Sequence, residues 1–265
     1  MKPWPEPLIP IARREGLPFL VEHWYLGTKT TRHMMVRRFR EVLEHAELAP
    51  GQKLLDLGCG WAYGTHWARE RGCSVVGLDL DPDQLHWAQD SMPQGRGLGL
   101  TVGNARQLPF PDASFDRAVS VEMLEHVFRP DRPAVFAEIA RVIKQGGRVS
   151  LSTPNPDSPI ERFKRLAVRM PALRRALPSA CFPEAEDDLG AYHPHRYHHP
   201  LTPAELRAGL EGAGFRVLGT KSFLWMLKTS PDALLPLALG AQRLAEALPI
   251  TSLMGATTLV WAERR

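Results

Sequence analysis

Lys53–Asp81 reads KLLDLGCGWAYGTHWARERGCSVVGLDLD. A short apolar run, Leu54-Leu55, leads through Asp56 and Leu57 into Gly58-Cys59-Gly60. An amphipathic segment follows, and then a second apolar run, Val75–Leu80. Strand, glycine turn, helix and strand in that order predict a βαβ unit. Gly58 and Gly60 let the backbone turn sharply and approach a ligand with no Cβ in the way. The helix behind them starts with unsatisfied N–H groups. Asp79, at the carboxyl end of the second strand, is suited to accept the hydroxyl hydrogens of a ribose.

Two details narrow the ligand. A dinucleotide fingerprint needs G-x-G-x-x-G with a pyrophosphate on the helix N-terminus. Here Trp61, Ala62 and Tyr63 follow Gly60, and the third glycine, Gly64, comes one position late. Asp56 aimed into the turn would repel a pyrophosphate, but it suits a ligand with a positive amine and no phosphate. S-adenosylmethionine (SAM) is such a ligand, and it is expected ahead of a nicotinamide cofactor.

Outward from this stretch lie Leu108-Pro109-Phe110, Ser114-Phe115-Asp116, Leu124-Glu125-His126-Val127 and Gly146-Gly147. With Asp56–Gly60 and Gly77–Asp79, they resemble the class I SAM-dependent methyltransferases. Within that superfamily the pattern is similar to the small-molecule branch that includes ubiquinone and menaquinone methyltransferases. The resemblance covers roughly Gly51–Pro154, with a weaker echo at His199–Phe215. It implies an α/β, Rossmann-like, seven-stranded and mostly parallel sheet with helices on both faces. The last strand is antiparallel, and a helical lid is inserted. The implied cofactor is SAM, leaving as S-adenosyl-L-homocysteine. The implied cofactor-binding residues are Tyr25, Asp56, Gly58, Cys59, Gly60, Gly64, Asp79, Leu80, Asn104, Ala105 and Val121. The family usually has an Asp where Asn104 stands. An amide oxygen there can still accept one adenine hydrogen, with the charge lost.

Composition sets bounds. A chain of 265 residues with 44% hydrophobic residues can bury one substantial core, or one core plus a lid. No apolar run reaches the roughly 18–20 residues that span a bilayer. The N-terminus carries no apolar signal core, and a reducing cytoplasm is the expected location. Cys59, Cys73 and Cys181 make an odd set with no metal-ligand spacing. A net charge of +4 gives no reason to expect nucleic acid.

Residues 1–50 are expected to form an arm and a helix that covers the cofactor, with His23, Trp24, Tyr25 and Arg32 within its reach. Residues 51–265 are expected to be the methyltransferase domain, with a lid insertion at 155–200. Past the first βαβ unit, strands are predicted at 98–102, 116–121, 149–153, 215–223 and 256–263. Helices are predicted at 82–91, 131–144 with Asp131 as cap and Gly146 just past its end, 203–211, and 231–248 with Pro236 inside it. Thr202-Pro203-Ala204-Glu205 is a capping box. Ile160, Phe163, Leu166, Ala167 and Met170 form one apolar helical face, with Arg162, Lys164, Arg165 and Arg169 around it. This is a lid over an apolar substrate, a basic patch that visits anionic membrane transiently, or a cap with a solvated face.

Methyl transfer from a sulfonium mainly needs alignment, which is worth roughly 7–11 kcal/mol. A base is needed only if the acceptor must lose a proton, and adds about 10²–10⁴ in rate. His126, after the fourth strand, is one candidate, although it could equally fix the start of the next helix. His193, His195 and His198, in the run YHPHRYHH at 192–199, are others. The irregular spacing around Pro194 fits no zinc-ligand pattern, so no metal is expected. The expected acceptor is a small apolar or aromatic molecule, quinone-like or a lipid precursor. A nucleic-acid methyltransferase and a SAM-binding protein without catalysis are the rival readings, and oligomeric state is open.

Overall fold

The structure is a computed structural model, and it describes residues 28–91, 97–168, 170, 198–224, 232–247 and 254–265. The element order is α1 (Lys29–His45), β1 (Lys53–Leu57), α2 (Tyr63–Glu70), β2 (Ser74–Asp79), α3 (Pro82–Ser91), β3 (Leu98–Val102) and β4 (Phe115–Val121). It continues with α4 (Arg132–Val142), β5 (Ile143–Pro154), α5 (Pro159–Val168), α6 (Pro203–Gly212), β6 (Phe215–Phe223), α7 (Leu235–Ala247) and β7 (Thr257–Arg264).

The seven strands run in the order β3-β2-β1-β4-β5-β7-β6. β1 pairs in parallel with β2 and β4, while β7 is antiparallel to both β5 and β6. Strand alternation sorts the core into two layers. Leu54 faces Met34, Val42 and Leu43 of α1 and Trp67 of α2. Leu55 and Leu57 face Phe136 and Ile139 of α4 and Leu206 and Leu210 of α6. By the period of two, Asp56 shares the face of Leu54. Both faces of the parallel strands are covered, as such sheets require.

Local chemistry explains the element ends. Thr28 caps α1 through its hydroxyl, which accepts from Thr31 N–H. The capping box at Thr202–Glu205 is formed as predicted, and β3 and β6 have their predicted bounds.

Other boundaries differ from expectation. Asp131 makes no side-chain cap bond to α4, because its carboxylate accepts from Arg106 Nη1 at 2.7 Å. α4 stops at Val142, and Ile143 already pairs with Phe115. Gly146 (φ +71°) therefore sits inside β5, where the register jumps between the Phe115–Ile143 and Arg117–Arg148 pairs. The sequence signal of a glycine past a helix was a glycine in a strand irregularity. Pro236 is the second residue of α7, not an interior one, since residues 232–234 form a separate 3₁₀ turn. Among the described residues, no helix is long and apolar enough to cross a membrane.

Candidate active site

The carboxyl ends of β1, β2, β3 and β4 lie along one edge, where ligands sit in open α/β sheets. The register sets Asp56 beside Gly77 and Val119, and Asp79 beside Val102. The turn after β1 is drawn onto β2: Gly58 and Cys59 N–H donate to Leu78 O at 2.8 and 3.1 Å.

Glycine is obligatory here for steric reasons. Gly58 (φ +67°) has Met123 Cγ 2.3 Å from where a Cβ would stand. At Gly64 a Cβ would meet the Phe39 ring at 2.8 Å and Asp56 Oδ2 at 3.3 Å. The late third glycine is thus explained by α1 crossing the turn and by the carboxylate beneath it. Ala62 adopts the left-handed region (φ +64°) as the N-cap of α2 with no side-chain bond. Such non-glycine residues cost about 1–3 kcal/mol and cluster at ligand-binding turns.

Asp56 is buried, and Thr65 Oγ1 donates to its Oδ2 at 2.7 Å. Burial, with a smaller contribution from the neighbouring Asp79, raises its pKa to about 6. Asp79 is also raised, chiefly by burial. Its Oδ2 accepts from Gly60 N–H at 2.7 Å and its Oδ1 from Asp81 N–H at 3.0 Å. The carboxylate expected to meet a ribose therefore also pins the glycine turn. Cys59 is buried and its thiol is pushed well up by that burial. Cys59 and Cys73 are free cysteines.

Around these sit the remaining predicted residues. Leu80 is 39% exposed at the end of β2. Gly103 N–H donates to Asp79 O at 2.9 Å, bringing Asn104 and Ala105 alongside. Asn104 Oδ1 accepts from Arg106 N–H at 3.0 Å and Arg106 Nε at 3.3 Å, so the oxygen expected to face adenine is shared with Arg106. Val121 is half-buried at the end of β4. Ser120 turns away, donating to Leu57 O at 3.0 Å. His126 lies in a 3₁₀ turn, Leu124–His126, directly after β4. Tyr25, His193 and His195, with His23, Trp24 and Cys181, lie outside the described residues, as does most of the predicted lid.

Sequence reasoning missed several contributors. Thr65, Phe39 and Gln84 shape the turn, and Gln84 Oε1 is buried with no hydrogen-bond partner, 2.9 Å from where a Gly60 Cβ would stand. Trp61, Tyr63, Trp67 and Phe39 form an aromatic cluster, with ring centroids 4.3–6.1 Å apart, that ties α1 to α2.

At the end of β4, Glu122 (φ +55°) accepts from Ser152 Oγ at 3.2 Å and pairs with Arg38 at 3.4 Å. Glu125 is 1% exposed, and burial pushes its carboxyl well above the usual range. Glu122, Glu125 and His126 stand at i, i+3 and i+4, a spacing legible in the sequence. The arrival of His198 beside them was not legible: its ring centroid lies 5.4 Å from that of His126.

A glycine-lined cradle, a buried carboxylate beneath it and no basic residue on the turn fit a cationic nucleoside ligand rather than a phosphate. Strand order and site together define an open α/β nucleotide-binding protein of the Rossmann-like kind. Comparison with known proteins makes this specific. Residues 55–151 match a family described as a methyltransferase domain. The ubiquinone biosynthesis O-methyltransferase of Xanthomonas axonopodis pv. citri is 31% identical over 183 residues, 68% of this chain and 70% of that protein. A "probable S-adenosylmethionine-dependent methyltransferase" of Mycolicibacterium smegmatis is 29% identical over 195 residues, 70% of this chain and 69% of its own length. A malonyl-[acyl-carrier protein] O-methyltransferase of Serratia marcescens is matched over only 39% of its length. The crystal structure of a SAM-dependent methyltransferase from Archaeoglobus fulgidus shares the fold, with TM-score 0.59 at 16% identity, over 93% of this chain and 99% of that one. The chain belongs to the class I SAM-dependent methyltransferases, enzymes whose cofactor is SAM.

Proposed function

We propose that this methyltransferase acts on a small, apolar or aromatic acceptor, quinone-like or a lipid precursor. The observation that carries the reading is α5, which follows β5 at the carboxyl edge of the sheet. It leaves Phe163 45% and Leu166 56% exposed, with Met170 just beyond at 48%. That is an exposed apolar stripe after the strand end, and the sequence interleaves it with Arg162, Lys164 and Arg165. The basic residues suit transient contact with an anionic membrane surface, where an apolar acceptor resides. The names of relatives, a ubiquinone biosynthesis O-methyltransferase among them, support the same class.

SAM supplies a methyl group on a good leaving group, so the protein's part is alignment and exclusion of water. In this reading Asp56 faces the cofactor's positive amine. The side-chain-free surface of Gly58 and Gly60 lines the amino-acid portion, while Cys59 and Gly64 close the floor. Asp79 takes the ribose hydroxyls and keeps the turn in place. Leu80, Asn104 and Ala105 bound the adenine. Val121 marks the passage to the acceptor side, where Glu122, Glu125 and His126 meet the acceptor's reacting group. The two free cysteines among the described residues suit a reducing, cytoplasmic location.

The test is mass spectrometry after incubation with deuteromethyl-labelled SAM and a cell extract separated into lipid and aqueous phases. A labelled product in the lipid phase is expected. A product confined to the aqueous phase overturns the apolar-acceptor reading.

A further inference from the structure

Resting on the reading of Asn104 and Ala105 as bounds of the adenine, we infer that Asn104 presents its amide NH₂ to the base, in place of the oxygen expected from the sequence. The enzyme then reads 6-amino and 6-oxo purines about equally. In that reading Asp79 takes the ribose hydroxyls, and the base of the same nucleoside adjoins the ribose. β3 pairs Val102 with Asp79, and Gly103 N–H donates to Asp79 O at 2.9 Å. Asn104 and Ala105 follow directly, both half-buried, beside the ribose position.

The polarity of the amide follows from its neighbours. Asn104 Oδ1 accepts from Arg106 N–H at 3.0 Å, an Asx turn, and from Arg106 Nε at 3.3 Å. Both of these groups are donors only, and a guanidinium keeps its protons. An amide nitrogen in that place would oppose them both, so the oxygen is fixed there. Gln107 N–H donates to Asn104 O at 3.0 Å and closes the turn. Arg106 is held in its turn by Asp131, whose Oδ2 accepts from Nη1 at 2.7 Å. This is the carboxylate that makes no cap bond to α4. Its charge instead keeps a guanidinium on Asn104 Oδ1, which leaves the NH₂ as the open end of the amide. Among the described residues, neither that NH₂ nor Ala105 N–H has a protein acceptor.

Donors side by side read a purine ambiguously. Adenine offers N1 as an acceptor and its 6-amino group as a donor. Ala105 N–H matches N1, while the Asn104 NH₂ meets the 6-amino group donor to donor. Hypoxanthine offers O6 as an acceptor and N1–H as a donor. The Asn104 NH₂ then matches O6, and Ala105 N–H is the mismatched group. Each base gains one hydrogen bond and leaves one mismatch. An aspartate at 104 would accept from the 6-amino group, so adenine would match at both positions and hypoxanthine at neither. Arg106 and Asp131 are thus positioning residues that act on base selection through Asn104. A product deaminated at the base remains a ligand of this site.

The experiment is calorimetric titration of the full chain with S-adenosylhomocysteine and with S-inosylhomocysteine, its 6-oxo counterpart. The ratio of the two affinities is the readout, because general damage to the loop weakens both ligands alike. The wild-type chain should favour the adenine ligand by less than about tenfold. Asn104→Asp should raise that preference to at least about 100-fold, as matches replace mismatches. Asn104→Ala should weaken the hypoxanthine ligand about tenfold more than the adenine ligand, because only O6 loses a partner. Arg106→Ala removes one of the donors that fix the oxygen, and should raise the preference for adenine about threefold. A wild-type preference of about 100-fold or more overturns the inference, since the oxygen would then face the 6-amino group. So does a larger loss for the adenine ligand in Asn104→Ala. A ratio unmoved by Arg106→Ala removes Arg106 from the positioning role. Wild-type affinity for both ligands in Asn104→Asp and Asn104→Ala alike has a different meaning: the base lies elsewhere, and the adenine reading of 104–105 fails with the inference.

Discussion

In the function proposed above, the cofactor side and the acceptor side of this sheet edge are built on opposite plans. The cofactor side is local: Asp56, Gly58, Gly60, Gly64, Thr65 and Asp79 lie within one βαβ unit. Backbone shape and absent side chains make the cradle. The acceptor side is assembled from distant segments, with Arg38, Glu122, Glu125, Thr153, His198 and Thr257 meeting at the ends of β4, β5 and β7. Its material is buried charge instead of glycine. A local cradle can be specified by a short motif, and a distributed cluster can change partners without disturbing that motif.

Substitutions can break this division, and the largest effect is expected at Gly58. Valine there meets Met123 head-on at a positive φ. Gly58→Val should lose measurable SAM binding in calorimetry and lower stability by about 2–3 kcal/mol in thermal melts. Full binding would mean that the turn is plastic and the cradle is not a steric device.

Asp56→Asn comes next. Its folded pKa of about 6 lies above that of an unfolded carboxylate. The native state therefore binds the proton more tightly, and stability falls as pH rises between the two values. In the absence of ligand that costs about 3 kcal/mol at neutral pH. The asparagine variant should melt at the same or a higher temperature at pH 7.5, yet bind SAM at least about 100-fold more weakly, in line with two charged hydrogen bonds lost. In the wild type, affinity should decline once pH falls below about 6, as the carboxylate protonates. A flat affinity between pH 5 and about 7.5 would detach Asp56 from the cofactor's charge.

Glu125→Gln probes the other plan. Here kcat should fall by about 10²-fold with SAM affinity unchanged. Equal losses in both would show that the two sides are one site. Thr65→Val should have the smallest effect, about 1 kcal/mol of stability. It should also shift the SAM pH profile upward, because the hydroxyl that favours the Asp56 carboxylate is gone. An unshifted profile would leave burial alone in charge of that group.

The same contrast explains what could be read from the sequence. β3, β6 and the Thr202 cap fell where period and turn chemistry put them, because such signals act over a few residues. The antiparallel β7 followed from a resemblance, not from periodicity. Asp131 was read as a cap because capping is local, but Arg106, 25 positions away, captured the carboxylate. Gly146 carries the same lesson, since its positive φ serves β5. The Glu122–Glu125–His126 spacing was visible, but nothing in it announces that His198 arrives there. Only chain topology supplies that meeting, with Arg132 donating to Val127 O and His199 O.

The double engagement of Asp79 bears on rates. The carboxylate already holds Gly60 and Asp81 N–H in the free protein, so the cradle need not assemble around its ligand. Cofactor association should then follow a single exponential without a lag, limited by encounter and not by ordering of the turn. Affinity differences between SAM and the demethylated product would accordingly reside in their residence times.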